Sequence, residues 1–401
     1  MDKKLDTLCS IYTLINKQRP KLDGTARLYI RITIKSESKK IPLPFYWSIK
    51  NFDDKKKVIL PRMDNDLDYL TVLTIIETEK AKYWNVAKKL LLKDQNFGVD
   101  DLISGVFLLE TGQKIVTWML YKSKKQVIEK KIKPKTGSHH KCSANKILEY
   151  QKNDVHIINI DSKWLSKYTV WLMKKLSYGA AWTRIKDLKT YVRLAEKSGV
   201  LINPDFENHY LPKPGNDPVW LDKPELEELF KLFKDPNISV ENYDCLRSFL
   251  FACFCGLRIS DLKRFDPSWI QKDEIVFTPV KQRITDTRVT IIRIPLIPIA
   301  KEFLSTLEGN LITRSDQKFN ERLKVIADLA GIKKNLTTHV ARHTFATQLA
   351  ILNVPISVIA ALLGHKTLAS TLIYIHIAEE IRKIEMEKLQ NSFSNFTLRI
   401  A

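Results

Sequence analysis

Residues 212 to 218 read Pro212-Lys213-Pro214-Gly215-Asn216-Asp217-Pro218, a segment through which neither a helix nor an inner strand can run. Each proline fixes φ and lacks an amide donor, and the glycine with its Asn-Asp neighbours favours turns. The stretch is the clearest linker in the chain and sets a boundary between two folding regions. With 401 residues, the chain suits two to four domains, each long enough to bury a core.

Upstream, residues 1 to about 60 read as strands. Leu28-Tyr29-Ile30-Arg31-Ile32-Thr33-Ile34 is rich in β-branched residues with partial alternation, and Lys21-Leu22-Asp23-Gly24 supplies a turn before it. Pro42 and Pro44, with Phe45, Tyr46 and Trp47, predict a short edge strand and a small core. From Leu67 to about Leu92 the spacing predicts a helix, with Leu70, Leu73, Ile76, Trp84, Ala87, Leu90 and Leu91 at apolar positions. Residues 122–146 hold nine lysines and one acid, Glu129, and read as a solvated loop or interaction segment broken at Pro134. His139-His140-Lys141-Cys142 within it reads as a polar loop, since no second ligand pair lies at a zinc-site spacing. Helices return from Ala144. One runs through Trp164, Leu165, Tyr168, Trp171 and Leu172 with Lys163, Lys167, Lys174 and Lys175 on its basic side. A second, from about Ala180 to Lys197, turns Arg184, Lys186, Lys189 and Arg193 outward.

The net charge of +21, from 66 Lys+Arg against 45 Asp+Glu, points to a polyanionic partner, nucleic acid before a membrane surface. Residues 1–50 carry eleven Lys/Arg against four Asp/Glu, and a small basic sheet carrying Arg27 and Arg31 can lie in a major groove. A solubilising edge, and solvated faces on the two basic helices, are the alternatives. No run reaches the roughly 18 apolar residues of a membrane span, no early segment has signal-peptide form, and five unframed cysteines suit a reducing cytoplasm. Cytoplasmic localisation is the expectation.

Downstream of the linker the residues predict a mainly helical region with one strand pair, Glu274–Thr278 and Val289–Ile294. This region also carries the chemistry. Arg258 stands in Gly256-Leu257-Arg258-Ile259-Ser260-Asp261-Leu262, and His339 and Arg342 stand in His339-Val340-Ala341-Arg342-His343-Thr344-Phe345. His365 closes the apolar run Ile359-Ala360-Ala361-Leu362-Leu363-Gly364, and Tyr374 follows nine residues later. Phosphodiester attack builds negative charge on non-bridging oxygens, which planar arginine donors can hold without a metal. His339 and Arg342 are three apart, one helical turn on one face. A phenol ionises at neutral pH only at a cost of about 4 kcal/mol, so cations or a proton acceptor must offset it.

This order of residues resembles the tyrosine recombinases, the phage-integrase family of DNA breaking and joining enzymes. The resemblance covers roughly residues 220–385 by motif. It implies Tyr374 as nucleophile, Arg258 and Arg342 as phosphate clamp, His339 and His365 as proton-handling groups, and Lys281 as donor to the 5′-oxygen. Lys281 has Arg283 and Arg288 nearby, and the family more often shows threonine after this lysine. Asp261 would orient Arg258 by a charge-assisted hydrogen bond; many relatives have glutamate there.

The implied fold has three parts. They are a small N-terminal antiparallel β arm-binding domain with its connecting helix (1–100), an all-α SAM-like core-binding domain (105–211), and a mainly α catalytic domain with a small β-sheet (219–401). The implied function is site-specific recombination through a 3′-phosphotyrosyl intermediate, serving integration and excision of a mobile element, with no cofactor or metal. Double-stranded DNA at core and arm sites, a homotetramer and DNA-bending accessory proteins are the expected partners. An invertase, a type IB topoisomerase-like strand transferase, and a catalytically inactive regulator of the same fold are the alternatives. The segment from Ala378 to about Leu389, with Ile381, Ile384 and Met386, reads as an amphipathic helix for a neighbouring subunit or its own domain.

Overall fold

A computed structural model describes residues 9–92, 96–215, 218–280, 290–305, 311–312 and 314–392. The chain divides into two compact units, Met1–Pro214 and Gly215–Ala401.

The first unit begins with an antiparallel sheet of three strands in chain order, β1 (Cys9–Ile15), β2 (Thr25–Ile34) and β3 (Glu37–Ser48). Period-two alternation along β2 buries Ala26, Leu28, Ile30, Ile32 and Ile34 and leaves Arg27, Tyr29, Arg31 and Thr33 on the other face. The register sets Tyr12 beside Arg31 and Arg31 beside Lys40, so the outer face carries a basic and aromatic row. A two-residue pair, β4 (Phe52–Asp53) and β5 (Val58–Ile59), precedes helix α1 (Leu67–Leu92). The predicted span of α1 is correct, and of its predicted apolar positions Ile76, Ala87 and Leu90 are buried, Leu73, Trp84 and Leu91 pack partly buried against the same core, and Leu70 faces outward. Val72, Ile76, Tyr83, Val86, Ala87 and Leu90 face the sheet's core, while Leu70 is 59% exposed.

Helix α2 (Val99–Glu110) belongs to two cores. Val99, Leu102 and Val106 pack with the sheet and α1, whereas Leu108 packs with the helices that follow. Those are α3 (Ile115–Ile128), α4 (Pro134–Gln151), α5 (Ser162–Met173) and α6 (Tyr178–Lys197). The expected loop over 122–146 is therefore overturned, because the segment forms the second half of α3 and most of α4, which pack together. Pro134 starts α4 at a position where no amide donor is needed, so it opens a helix there. Gly137 lets α4 close on α3, since a Cβ there would lie 2.6 Å from Val127 Cγ2. Lys122 is buried with its Nζ donating to Ser104 Oγ at 3.0 Å. Burial opposes ionisation of Asp100, yet Lys39, Lys125 and Lys131 outweigh it and hold that carboxyl well below its usual range. His139 to Cys142 also lie on α4 and not in a loop, and His140 Nδ1 pairs with Tyr191 Oη at 2.8 Å. Among the described residues no cluster could hold a metal ion, and no helix is long and apolar enough to cross a membrane.

The second unit opens with α7 (Lys223–Phe233), whose N-terminus carries a capping box between Asp222 and Glu225. Its centre is α8 (Val240–Cys255), a helix buried nearly all round, as its continuous apolar run from Phe249 to Cys255 requires. Around α8 pack α10 (Pro298–Ser305), α11 (Asp316–Leu329) and α12 (Thr338–Ile351). Between α8 and α10 come the single turn α9 (Ile259–Leu262) and a small antiparallel sheet, β6 (Ile270–Gln271), β7 (Glu274–Phe277) and β8 (Ile292–Pro295). The predicted strand pair is present, with Phe277 opposite Ile292; its beginning at Val289 lies outside the described residues. Helices α13 (Ile356–Leu363) and α14 (Ala369–Ser392) complete the unit.

Candidate active site

Two glycine-capped helix ends build the site. Gly256 ends α8 with φ +63, and a Cβ there would stand 2.4 Å from Phe345 Cδ1 on α12. Gly364 ends α13 with φ +60, and a Cβ there would stand 2.2 Å from Ile292 Cδ1 on β8. Both positions need left-handed backbone and close approach, which glycine alone supplies without strain. Arg258 lies two residues past the first cap and His365 one past the second.

Arg342 ties these ends together. Only 7% exposed, it donates from one terminal nitrogen to the Gly256 carbonyl at 2.8 Å and from the other to the Leu363 carbonyl at 2.5 Å. Helix C-termini present unpaired carbonyls and partial negative charge, so a cation is well placed between them. A guanidinium has five N–H donors, and these two bonds leave three for a ligand. Arg258 is half-buried, and no hydrogen bond from its guanidinium is found among the described residues. Burial, followed by repulsion from Arg258, pulls the Arg342 pKa down to about 9. Burial also lowers that of Arg258, against the pull of Asp261 and Tyr374. Two desolvated cations side by side form a site that an anion would relieve.

Tyr374, on α14, is 3% exposed, and its hydroxyl lies 2.9 Å from His343 Nδ1. Burial raises its pKa, and the nearby Arg342 and Arg258 oppose that shift, so the phenol is protonated at neutral pH. The His365 ring stacks near it, centroids 6.5 Å apart, with Nδ1 paired to Thr371 Oγ1 at 2.9 Å, which leaves Nε2 for a ligand. Burial first, then Arg342, brings the His365 pKa to about 4. His339 is exposed on the first turn of α12 and lines, with Asn335, Thr337, His343 and Tyr374, a cavity of about 410 Å³.

The structure thus gathers Arg258, Arg342, His365 and Tyr374 around one spot, with His339 at the edge of the adjoining cavity. Lys281 lies outside the described residues. Asp261 makes a different contact from the one expected. It is fully buried, its Oδ1 accepts the Val280 N–H at 2.9 Å, and among the described residues no hydrogen bond joins its carboxylate to the Arg258 guanidinium. It acts on Arg258 through space as a charge, while anchoring the backbone next to Lys281. Sequence reasoning assigned no role to His343. The available signal was its spacing, four residues after His339 and so on the same helix face.

The basic residues of the first unit are placed as follows. Arg27 and Arg31 lie on the outer sheet face, donating to the Leu43 carbonyl at 3.0 Å and to Ser38 Oγ at 3.3 Å. Lys163, Lys167, Lys174, Lys175 and Lys186 are exposed. Arg184 is half-buried and donates to the His139 carbonyl and to Ser143 Oγ, which commits it to the packing of α6 on α4.

Three parts of the chain match known families. Residues 219–380 match the phage integrase family, 118–211 the phage integrase SAM-like domain, and 13–102 an arm DNA-binding domain. A tyrosine recombinase of Pseudothermotoga lettingae is 25% identical over 258 residues, 59% of this chain and 85% of that protein. The tyrosine recombinase XerD of Proteus mirabilis is 42% identical over 80 residues, 20% of this chain and 25% of that one. Among solved structures, the Tn1549 transposon integrase with circular intermediate DNA aligns with a TM-score of 0.52 at 18% identity, over 64% of this chain and 94% of that one. A lambda integrase dimer on a COC′ core site aligns with a TM-score of 0.54 at 14% identity, over 89% and 93%. At such identities these two likenesses speak for the fold.

Proposed function

The chain belongs to the phage integrase family of tyrosine recombinases, enzymes that cleave and rejoin DNA at specific sites, and from that premise we propose how its residues do so. Tyr374 Oη attacks the scissile phosphorus, the P–O5′ bond breaks, and a 3′-phosphotyrosyl link forms with release of a 5′-hydroxyl. Arg258 and the three remaining donors of Arg342 hold the non-bridging oxygens, His365 Nε2 adds a further donor, and His339 closes the cavity side. Lys281 protonates the departing 5′-oxygen. The phosphotyrosyl bond keeps the energy of the bond it replaced, so a second 5′-hydroxyl can reverse the step.

The observation that carries this reading is the pair of a buried Arg342 and a half-buried Arg258 set beside a buried, hydrogen-bonded phenol. A core-only structural role for Tyr374 would not call for two desolvated guanidinium groups next to it. The test is a nicked duplex from the DNA flanking the gene, in which cleavage releases a short fragment and cannot reverse. Wild type should give a denaturation-resistant protein–DNA band and Tyr374→Phe none, with DNA binding retained. Binding by both without a band from either would favour a regulator that keeps the fold.

We further propose a mobile-element integrase, with an arm domain over 1–100, a core-binding domain over 105–211 and a catalytic domain over 219–401. The match at 13–102 and the outer face of the sheet, with Arg27, Arg31 and Lys40, support an accessory-site grip on double-stranded DNA. A homotetramer, DNA-bending accessory proteins and action in the cytoplasm complete the proposal. Lys163, Lys167, Lys174, Lys175 and Lys186 are the proposed backbone contacts of the core-binding helices.

A further inference from the structure

The three imidazoles near Tyr374 are differently engaged. His365 Nδ1 is taken by Thr371 Oγ1, and its ring centroid lies 6.5 Å from that of the phenol. His339 is exposed, its ring 6.2 Å from that of His343. His343 alone of the three has a ring nitrogen paired with the Tyr374 hydroxyl, at 2.9 Å. The pairing is fixed from both ends, because α12 and α14 pack together and Tyr374 is buried with Ala346 and Ala350 of α12.

We propose that His343 is a catalytic residue, the acceptor that holds the Tyr374 hydroxyl and takes its proton as the phenolic oxygen attacks phosphorus. This rests on the reading of Tyr374 as nucleophile. With its proton on Nε2, the imidazole presents the Nδ1 lone pair to the phenol. As the Oη–P bond forms and the P–O5′ bond breaks, the phenolic proton passes to Nδ1 and gives an imidazolium. The 5′-oxygen takes its proton from a separate donor, Lys281 in the scheme above. In religation the 5′-hydroxyl attacks and returns its proton to Lys281, the Tyr374 oxygen departs and recovers the proton from His343, and atoms and charge balance over the cycle.

The surroundings suit this role. Burial, then His339 and Arg342, lowers the His343 pKa to about 4, so Nδ1 keeps its lone pair at neutral pH. In the DNA-free protein that makes it a weak base beside a protonated phenol, and the nucleophile rests. A phosphate anion bound between Arg258 and Arg342 would offset the positive field that depresses the imidazole, and so strengthen the base as the substrate arrives. Within one helix, His343 would serve the attacking oxygen and Arg342 the phosphate.

The experiment compares His343→Ala, His343→Asn and His343→Gln with wild type in single-turnover formation of the covalent complex. Two nicked duplexes are used, one ordinary and one with sulfur in place of the scissile 5′-bridging oxygen. The thiolate leaves without needing a proton, so sulfur restores activity lost at the leaving group and none lost at the nucleophile. His343→Ala should fall by about 10²–10³-fold on both substrates, within the range of general acid–base contributions. His343→Asn, whose side-chain oxygen stands near the former Nδ1, should recover about tenfold over His343→Gln, whose oxygen reaches further. Lys281→Ala, in contrast, should be restored by sulfur. Rescue of His343→Ala by sulfur, or a rate within threefold of wild type, would overturn the proposal. If alanine unfolds the protein, equal rates for Asn and Gln overturn it. A wild-type protein that binds both duplexes and forms no covalent complex would instead defeat the reading of Tyr374.

Discussion

Replacing Arg342 with methionine sets two energies against each other. The guanidinium is held with its pKa lowered from 12.5 to about 9, and at about 1.4 kcal/mol per pH unit this is a standing penalty of about 5 kcal/mol. Removing it also strands the Gly256 and Leu363 carbonyls, each of which costs about 1–3 kcal/mol when buried without a donor. Methionine refills most of the volume. The terms nearly cancel, and the stability of the second unit should lie between about 3 kcal/mol above and about 1 kcal/mol below wild type. Activity behaves differently, because donors aimed at developing charge are worth about 3–4 kcal/mol each, or 10²–10³ in rate. Amide hydrogen exchange in α8 and α12 reads the stability of this unit by itself, which matters in a chain of two units that need not unfold together. Covalent-complex formation on the nicked duplex reads the rate. A loss of more than about 5 kcal/mol would show that Arg342 is chiefly a structural clamp, and cleavage within tenfold of wild type would refute its place on the phosphate.

Gly364→Ala should cost about 1–3 kcal/mol through left-handed strain and the contact with Ile292, and should slow cleavage by displacing His365. Ile292→Val removes the clashing Cδ1 and should recover part of the stability; no recovery in the double variant would place the whole cost in the backbone. His343 and His365 have folded-state pKa values of about 4 against 6.5 unfolded, so the unfolded chain binds protons first as pH falls. Stability should therefore be full above about pH 6.5 and decline toward pH 4, by about 1–3 kcal/mol per imidazole after allowing for partial exposure. His343→Gln should flatten that slope in acid unfolding, and an unchanged slope would assign the decline to other groups. Arg27→Glu with Arg31→Glu should weaken recombination at full sites far more than cleavage of a core-site duplex, and should reduce the salt dependence of arm-site binding by about two counterions. Equal losses in both assays would remove the accessory-site role.

Legibility in the sequence followed local signal strength. The alternation Leu28-Ile30-Ile32-Ile34 is a strong strand signal, and β2 formed as expected. The 122–146 part of α3 and α4 reads as a loop because there the helices are held mainly by small residues and buried charge. Gly137, Ser143, Ala144 and Lys122 carry no hydrophobic periodicity, and the acid that neutralises the lysine run, Asp100, lies on α2. At the site, Arg258, Arg342, His365 and Tyr374 were recognisable from order and spacing. The Asp261–Val280 and His343–Tyr374 contacts were not, since each joins elements whose relative placement only tertiary packing decides.

Because α2 gives Val99, Leu102 and Val106 to the sheet's core and Leu108 to the helical bundle, the border between those two regions is not a seam. Among relatives that trade recognition arms, an exchange cut near residue 100 would strand apolar side chains on both fragments. A viable chimera would have to carry the whole helix and the face it packs against, so a lineage can acquire a new arm only with a matching α2. That couples any change in the sheet to the packing of a helix it shares with the bundle.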